Sequence, residues 1–321
     1  MSDPADKLVS EEIISQTESR FDKWRNRAGY FFAPFAFISI YLAPLDLNPE
    51  AHSLAAILSA VVILWICETI PLPATALIGA VLCVVYNVAP AKEVIAPFGN
   101  PLMFLFIGSF ILARAIFLND LDRRFAYGVL SLKWIGARPS RILFAFGAVT
   151  AFASAWISNT ATTAMMFAIG MSIISFLYKH QKETGVQINP SYATVLMLTT
   201  SFAATIGGLM TPIGTPPNVI GLGFMREQLD IDISFFKWML IGAPISIVLY
   251  HFLYYYFNYL APAGVKEIPG SAEMILEEKE KLGGWTRAQK STMVAFGTAV
   301  SIWVFAGLVG LIAGEKSEIY S

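Results

Sequence analysis

The sequence predicts an all-α, polytopic membrane fold with a re-entrant helical hairpin and a broken transmembrane helix. Three observations carry that expectation. The 321 residues are 56% hydrophobic and only 14% charged, against about 45–50% and 25% in soluble domains, leaving too little polar surface for a solvated exterior. The apolar residues gather in runs long enough to span a bilayer, which takes about 20 residues. Two of those runs are interrupted by small hydroxyl, amide and helix-breaking residues, Trp156–Thr163 and Thr211–Asn218. Hydrocarbon tolerates broken backbone only where protein buries it or water reaches it, so two interruptions point to a solute or ion site near mid-membrane.

Taken in order, residues 1–28 are polar and lack the apolar core of a cleavable signal; they read as a cytoplasmic tail. The first crossing is expected at 29–45. Residues 53–89 are too long for one span and break at Glu68-Thr69-Ile70-Pro71-Leu72-Pro73, where proline removes amide donors and restricts the residue before it. That gives crossings at 53–70 and 73–89, followed by a fourth at 101–118. An apolar run at 142–178 carries the first polar interruption. The fifth crossing, about 192–225, carries the second, and crossings at 238–260 and 291–313 complete a set of seven.

Charge distribution orients this set. Arg20, Lys23, Arg25 and Arg27 place the N-terminus inside by the positive-inside rule. The loop 46–52 has no Lys or Arg and 90–100 has only Lys92, as expected outside. The stretch 119–141 holds Arg123, Arg124, Lys133, Arg138 and Arg141, and the linkers 179–191 and 261–290 are also basic. All three belong inside, so 142–178 must enter and leave by the same face: a re-entrant hairpin with Ser158–Thr163 at its tip.

At that tip Ser154 and Ser158, four apart, are expected on one helical face, where their oxygens can converge on a small hard cation such as Na⁺. Asn159 offers an oxygen to a cation and an NH₂ to an anion, and Thr160 adds a hydroxyl. A helix start carries partial positive charge suited to a carboxylate or oxyanion. In the second interruption Pro212, Pro216 and Pro217 lack N–H groups, freeing the carbonyls of Gly208, Pro212 and Ile213 as potential cation ligands. Thr215 and Asn218 are expected to supply donors or to cap the following half-helix.

Other chemistries find no footing. The three histidines are scattered, and no His-Glu-x-x-His, Gly-x-Ser-x-Gly or phosphate-binding Gly-Lys-Ser/Thr pattern occurs, which argues against a zinc protease, a serine hydrolase and a P-loop ATPase. No basic stripe supports nucleic-acid binding. Cys67 and Cys83 lie in apolar segments without a Cys-x-x-Cys pattern and read as buried small hydrophobes.

Ser158-Asn159-Thr160 in a hairpin, followed by Gly214-Thr215-Pro216-Pro217-Asn218 in a broken helix, resembles the divalent anion/sodium symporter family: sodium-coupled dicarboxylate, citrate and sulfate transporters and their exchanger relatives. Glu68–Leu77 resembles an early membrane segment of the same family. The resemblance implies a sodium site built from Ser154, Ser158, Asn159 and the Gly214 carbonyl. It places Asn159 and Thr160 on a substrate carboxylate, with Thr215 and Pro216 close by. It also implies a homodimer in an inner or cell membrane, an elevator motion, and two inverted repeats. By that template residues 29–260 are the first repeat, 261–290 a cytoplasmic linker and 291–321 the first crossing of an incomplete second repeat. The chain is then expected to be part of a longer or split protein, holding half a site. A sodium-independent exchanger of the same fold and a non-transporting fragment are the alternatives.

Overall fold

The computed structural model describes residues 16–313, all helix and loop, in two compact units that divide at Met103. In the first unit, α1 (Gln16–Leu42), α2 (Pro49–Cys67) and α3 (Leu72–Val85) pack in sequence, and a short α4 (Ala91–Ile95) runs into a 3₁₀ turn at Ala96–Gly99. Asn48 starts α2 by accepting the Ala51 amide at 2.8 Å, with Pro49 at the first helical position, where its missing N–H costs nothing. Glu68 stops α2 in a left-handed conformation, φ +49°. Aromatic contacts hold the other end, with Phe37 and Tyr41 at 5.1 and 5.4 Å from Tyr86.

The second unit carries the larger core. It comprises α5 (Pro101–Leu118), α6 (Leu121–Leu130), α7 (Pro139–Ser154), α8 (Asn159–Thr184), α9 (Pro190–Gly207), α10 (Pro216–Leu229), α11 (Phe235–Leu260), α12 (Ser271–Lys281) and α13 (Arg287–Ala313). Most of α7 is buried, as a helix apolar on all sides should be. Phe146 of α7 lies against Gly170 of α8, where an added Cβ would come within 3.2 Å of its ring. The chain therefore doubles back at 155–158, and α7 and α8 form a hairpin. Helix α9 fits against both arms; Tyr192 donates to the Pro139 carbonyl at 2.8 Å and pins the two helix starts together. By contrast α5 buries Ile116 alone of its apolar side chains and α13 none among the described residues, Phe104 and Phe305 being exposed, as in lipid-facing helices.

Five described helices are long and apolar enough to cross a membrane: α2, α5, α8, α11 and α13. Four coincide with expected crossings. The fifth, α8, is the second arm of the expected hairpin; hydropathy alone does not separate a long hairpin arm from a full span. The expected crossing at 73–89 rests on α3, whose 14 residues extend about 21 Å at 1.5 Å per residue, short of the hydrocarbon thickness. The apolar run there continued into a turn after Val85. The expected crossing at 192–225 is two helices separated by the loop 208–215. Of the expected tail, residues 1–15 lie outside the described set, and 16–28 form the start of α1, continuous with the segment expected as the first crossing; α1 is not among the five long apolar helices. Residues 314–321 of the closing segment also lie outside it.

Candidate functional site

The turn between α7 and α8 and the loop between α9 and α10 are locked to each other. Helix α7 ends at Ser154, and Ser158 caps α8 by accepting the Ala161 amide at 3.3 Å. The two serines thus do not share a helical face as their spacing suggested: the helix stops between them. What converges instead is Ser154 with Asn159. The Ser154 hydroxyl, fully buried, donates to Asn159 Oδ1 at 2.7 Å across the turn.

Three contacts join the hairpin to residues 207–211, and two more hold the loop together. Thr211 donates its hydroxyl to the Ala155 carbonyl and accepts the Gly214 amide at 3.1 Å on the same oxygen. Gly207 lies so close to the backbone of Ala151 that a Cβ there would overlap the carbonyl, and a Cβ on Gly208 would overlap Asn159 Oδ1. A Cβ on Gly214 would stand 2.5 Å from the Gly208 carbonyl oxygen. Asn159, Gly208 and Gly214 are therefore consecutive neighbours, and glycine at 207, 208 and 214 is what lets the two backbones approach.

The freed carbonyls have a more specific fate than expected. Asn218 donates both amide hydrogens inward, to Gly208 O at 2.8 Å and Thr211 O at 2.9 Å. It does not cap α10, and neither does Thr215, whose side chain makes no capping bond. Pro212 cannot donate to the Gly208 carbonyl, so a side chain from the far end of the loop does. One carbonyl counted as a free cation ligand is thereby already engaged, while Gly214, itself buried, packs against the Gly208 backbone.

Helix α11 closes the loop from outside. Trp238 donates to Leu209 O at 3.0 Å, Ser246 to Ile206 O at 2.9 Å, and Tyr250 to the Phe144 carbonyl of the hairpin's first arm. Gly242 sits against the Leu209 carbonyl with no room for a Cβ. Sequence reading passed over these four residues, yet Trp238, Gly242, Ser246 and Tyr250 recur every fourth position, a stripe along one helix face.

Of the expected substrate residues, Asn159 and Thr160 open α8, with Thr160 exposed, while Thr215 and Pro216 open α10. No hydrogen bond joins the two pairs among the described residues. The α8 end is the richer in donors. Ser158 takes the Ala161 and Thr162 amides, leaving those of Asn159 and Thr160 open, whereas Pro216 and Pro217 remove the first two at α10. The Thr162 hydroxyl, one turn inside α8, is buried without a partner. No Asp, Glu, Lys, Arg or His lies within 154–163 or 207–218, so the site is built wholly of neutral polar groups. No group of three metal-ligating His, Cys, Asp or Glu side chains occurs among the described residues.

Comparison with known proteins gives a consistent result. The family profile described as the sodium:sulfate symporter transmembrane region matches residues 25–316. The sodium-dependent dicarboxylate transporter SdcS of Staphylococcus aureus is 34% identical over 283 residues, covering 86% of this chain and 54% of that protein. The SdcS of Staphylococcus saprophyticus is 34% identical over 281 residues with the same coverage. The chain thus spans about half the length of the curated relatives it matches.

Proposed function

Because the chain belongs to the sodium:sulfate symporter family, whose members are multi-pass membrane transporters rather than enzymes, we propose that it forms the N-terminal half of a secondary transporter that moves small divalent anions with sodium. Dicarboxylates are the first choice of substrate, since the relatives named above are dicarboxylate transporters. The observation that carries the proposal is the interlock of turn and loop, which gathers Ser154, Asn159 and the backbone of Gly214 into one neutral cluster.

Sodium is the coupling ion, held by the oxygens of Ser154, Ser158, Asn159 and the Gly214 carbonyl. Neutral oxygens suit a hard monovalent cation that must also leave. A fixed carboxylate would hold it more tightly and repel the anion. When the cation takes the Asn159 oxygen, the Ser154 proton turns away from it and both oxygens serve as ligands. Orienting Asn159 Oδ1 toward the cation leaves its NH₂ for a substrate carboxylate, beside the open amides of Asn159 and Thr160 at the positive end of α8. The Thr215 hydroxyl and Pro216 border the same space from α10. Cation and anion are thereby bound as neighbours, each improving the site for the other.

The same proposal assigns residues 29–260 to the first repeat, with a cytoplasmic N-terminus, six of the seven crossings and the re-entrant hairpin at 142–178, and gives the seventh crossing, 291–313, to the second repeat. It assigns 261–290 to a cytoplasmic linker and takes the assembled transporter as a homodimer in the inner membrane.

Two measurements test it. The purified chain is expected to melt at a higher temperature in sodium chloride than in equimolar potassium chloride, as a ligand selective for the folded state requires, and Asn159→Ala is expected to abolish the difference. Equal melting in both salts rejects the sodium site. In proteoliposomes bearing the chain together with the C-terminal half of a relative, succinate uptake is expected to follow the sodium gradient. Uptake indifferent to sodium but dependent on an internal anion identifies an exchanger instead.

A further inference from the structure

At the end of the hairpin away from its turn, α7 and α9 start and α11 finishes. The three linkers that are basic in the sequence meet there. Ile268 donates its amide to the Ala137 carbonyl at 2.8 Å. Asn189 donates its amide to the Ala263 carbonyl and its side chain to that of Pro262, each at 3.0 Å. Beside this junction opens a cavity of about 790 Å³, with Arg138, Ser140, Asn258, Lys266 and Glu267 among its walls. It takes no part in the cluster at the turn.

Donors outnumber acceptors in these walls. Lys266 has no acidic partner among the described residues, and the Asn258 amide makes no hydrogen bond there. The first amide of α7, that of Ser140, and those of Val265, Lys266 and Glu267 also meet no protein acceptor among the described residues. Helix α7 adds the positive end of its dipole. Arg138 has one partner, Glu267, at 3.7 Å between side chains 53% and 63% exposed. So loose and wet a pair contributes little, and an anion can draw the guanidinium away from it. Two cations against one carboxylate leave the cavity electropositive.

We propose that this cavity holds the phosphate of an anionic phospholipid whose acyl chains lie along α11. From the functional reading above it takes only the assignment of this end to the cytoplasmic leaflet, whose anionic headgroups attract basic residues. The second observation is apolar. Val248, Phe252, Tyr255 and Tyr259 succeed one another at intervals of four, three and four, which makes one stripe along the helix. Each is at least 66% exposed. Asn258 lies one turn beyond Tyr255 and adjoins Tyr259, so the stripe ends at the cavity. Tyrosine rings favour the headgroup level of a bilayer, where the ring is apolar and the hydroxyl wet. A soluble phosphate finds the cations but leaves the stripe bare. A zwitterionic lipid brings a cation of its own towards Arg138 and Lys266.

Native mass spectrometry of the full chain, in a non-ionic detergent without sodium, counts bound lipids directly. Dioctanoyl phosphatidylglycerol is the probe and dioctanoyl phosphatidylcholine its zwitterionic counterpart. One phosphatidylglycerol is expected to bind at least tenfold more tightly than phosphatidylcholine. Arg138→Gln combined with Lys266→Gln is expected to remove that preference, and either alone to weaken it severalfold. Glu267→Gln, which removes the competing carboxylate, is expected to tighten phosphatidylglycerol binding. Lys182→Gln combined with Lys290→Gln, cations of the same linkers outside the cavity, should bind as wild type does. Inorganic phosphate in large excess should leave the lipid bound; displacement by it identifies a soluble-anion site and overturns the lipid assignment. Equal binding of the two lipids overturns the proposal, as does an equal loss in the control pair. So does wild-type preference in the double variant or, should that not fold, in both single ones. The readout involves neither sodium nor transport, so its failure and that of the functional reading are separately visible.

Discussion

Prolines interrupt apolar helices at two places in this chain, and each interruption leaves backbone groups that must find partners. Between α2 and α3, at 68–71, the partners are charged or peripheral. Arg25 pairs with the Glu68 carboxylate at 2.7 Å. Asn26, with its amide nitrogen turned inward, donates to the Cys67 carbonyl at 2.6 Å, and Tyr30 reaches the Thr69 carbonyl. Between α9 and α10 the partners are neutral and buried: Asn218, Thr211, Trp238 and Ser246. A proline break thus does not by itself mark a binding site. At the first break neutral side chains, Asn26 and Tyr30, meet the carbonyls, and a formal ion pair between largely exposed side chains fixes it in place. The second is satisfied by dipoles, and a neighbourhood of dipoles still has attraction to spare for an incoming ion.

The sharpest way to break the contrast is steric. Gly207→Ala places a methyl group into the Ala151 backbone, which cannot move aside as a flexible side chain could. A loss of about 3 kcal/mol or more is expected in thermal or denaturant melts. The same substitution at Gly221, where a Cβ meets nothing within 4 Å, is the control and should be neutral or stabilising. Next comes Asn218→Ala, which strips two buried carbonyls of their donor and should cost about 2–4 kcal/mol. Asn218→Asp, isosteric but without donors, should do no better; full stability in either variant would mean the loop holds without it.

A third variant concerns Asp122 of α6, a carboxylate that is buried where Glu68 is exposed. Because the folded pKa of Asp122 is raised, the folded chain holds more protons than the unfolded one between the ordinary carboxylate value and about 6, and stability falls as pH rises through that window. Asp122→Asn is therefore expected to melt higher than wild type near pH ~7.5, by on the order of 1–2 kcal/mol, with the gap closing near pH ~4. The smallest effect is at the exposed pair. Arg25→Gln should cost below about 1 kcal/mol and lose even that at high salt. A larger loss would show that the first break depends on its ion pair more than its exposure allows.

Both breaks were legible as breaks, because proline and glycine act locally whatever surrounds them. At the hairpin tip the sequence singles out Ser154, Ser158 and Asn159 but pairs the two serines, whereas the fold ends α7 between them and joins Ser154 to Asn159. The role of Asn218 was not legible. Directly after two prolines, as the third residue of α10, it has the look of a helix cap, and only the fold reveals that its amide turns back to Gly208 and Thr211. Nor does hydropathy separate a hairpin arm from a full span at α8, since apolar composition and length are all it weighs. The stripe from Trp238 to Tyr250 was hidden for a related reason: each member is common in membrane helices, and only their shared spacing is a signal.

The contact of Gly207 with Ala151 has a consequence for recombination. Backbone meets backbone there, with no side chain between to absorb a mismatch, so the hairpin and the loop behave as one exchangeable cassette. Chimeras with a relative that cross over anywhere from 155 to 206 inherit the two faces of that contact from different parents. Those that exchange 139–218 whole keep the seam intact, and a library built on that boundary should return far more folded members than one cut inside it.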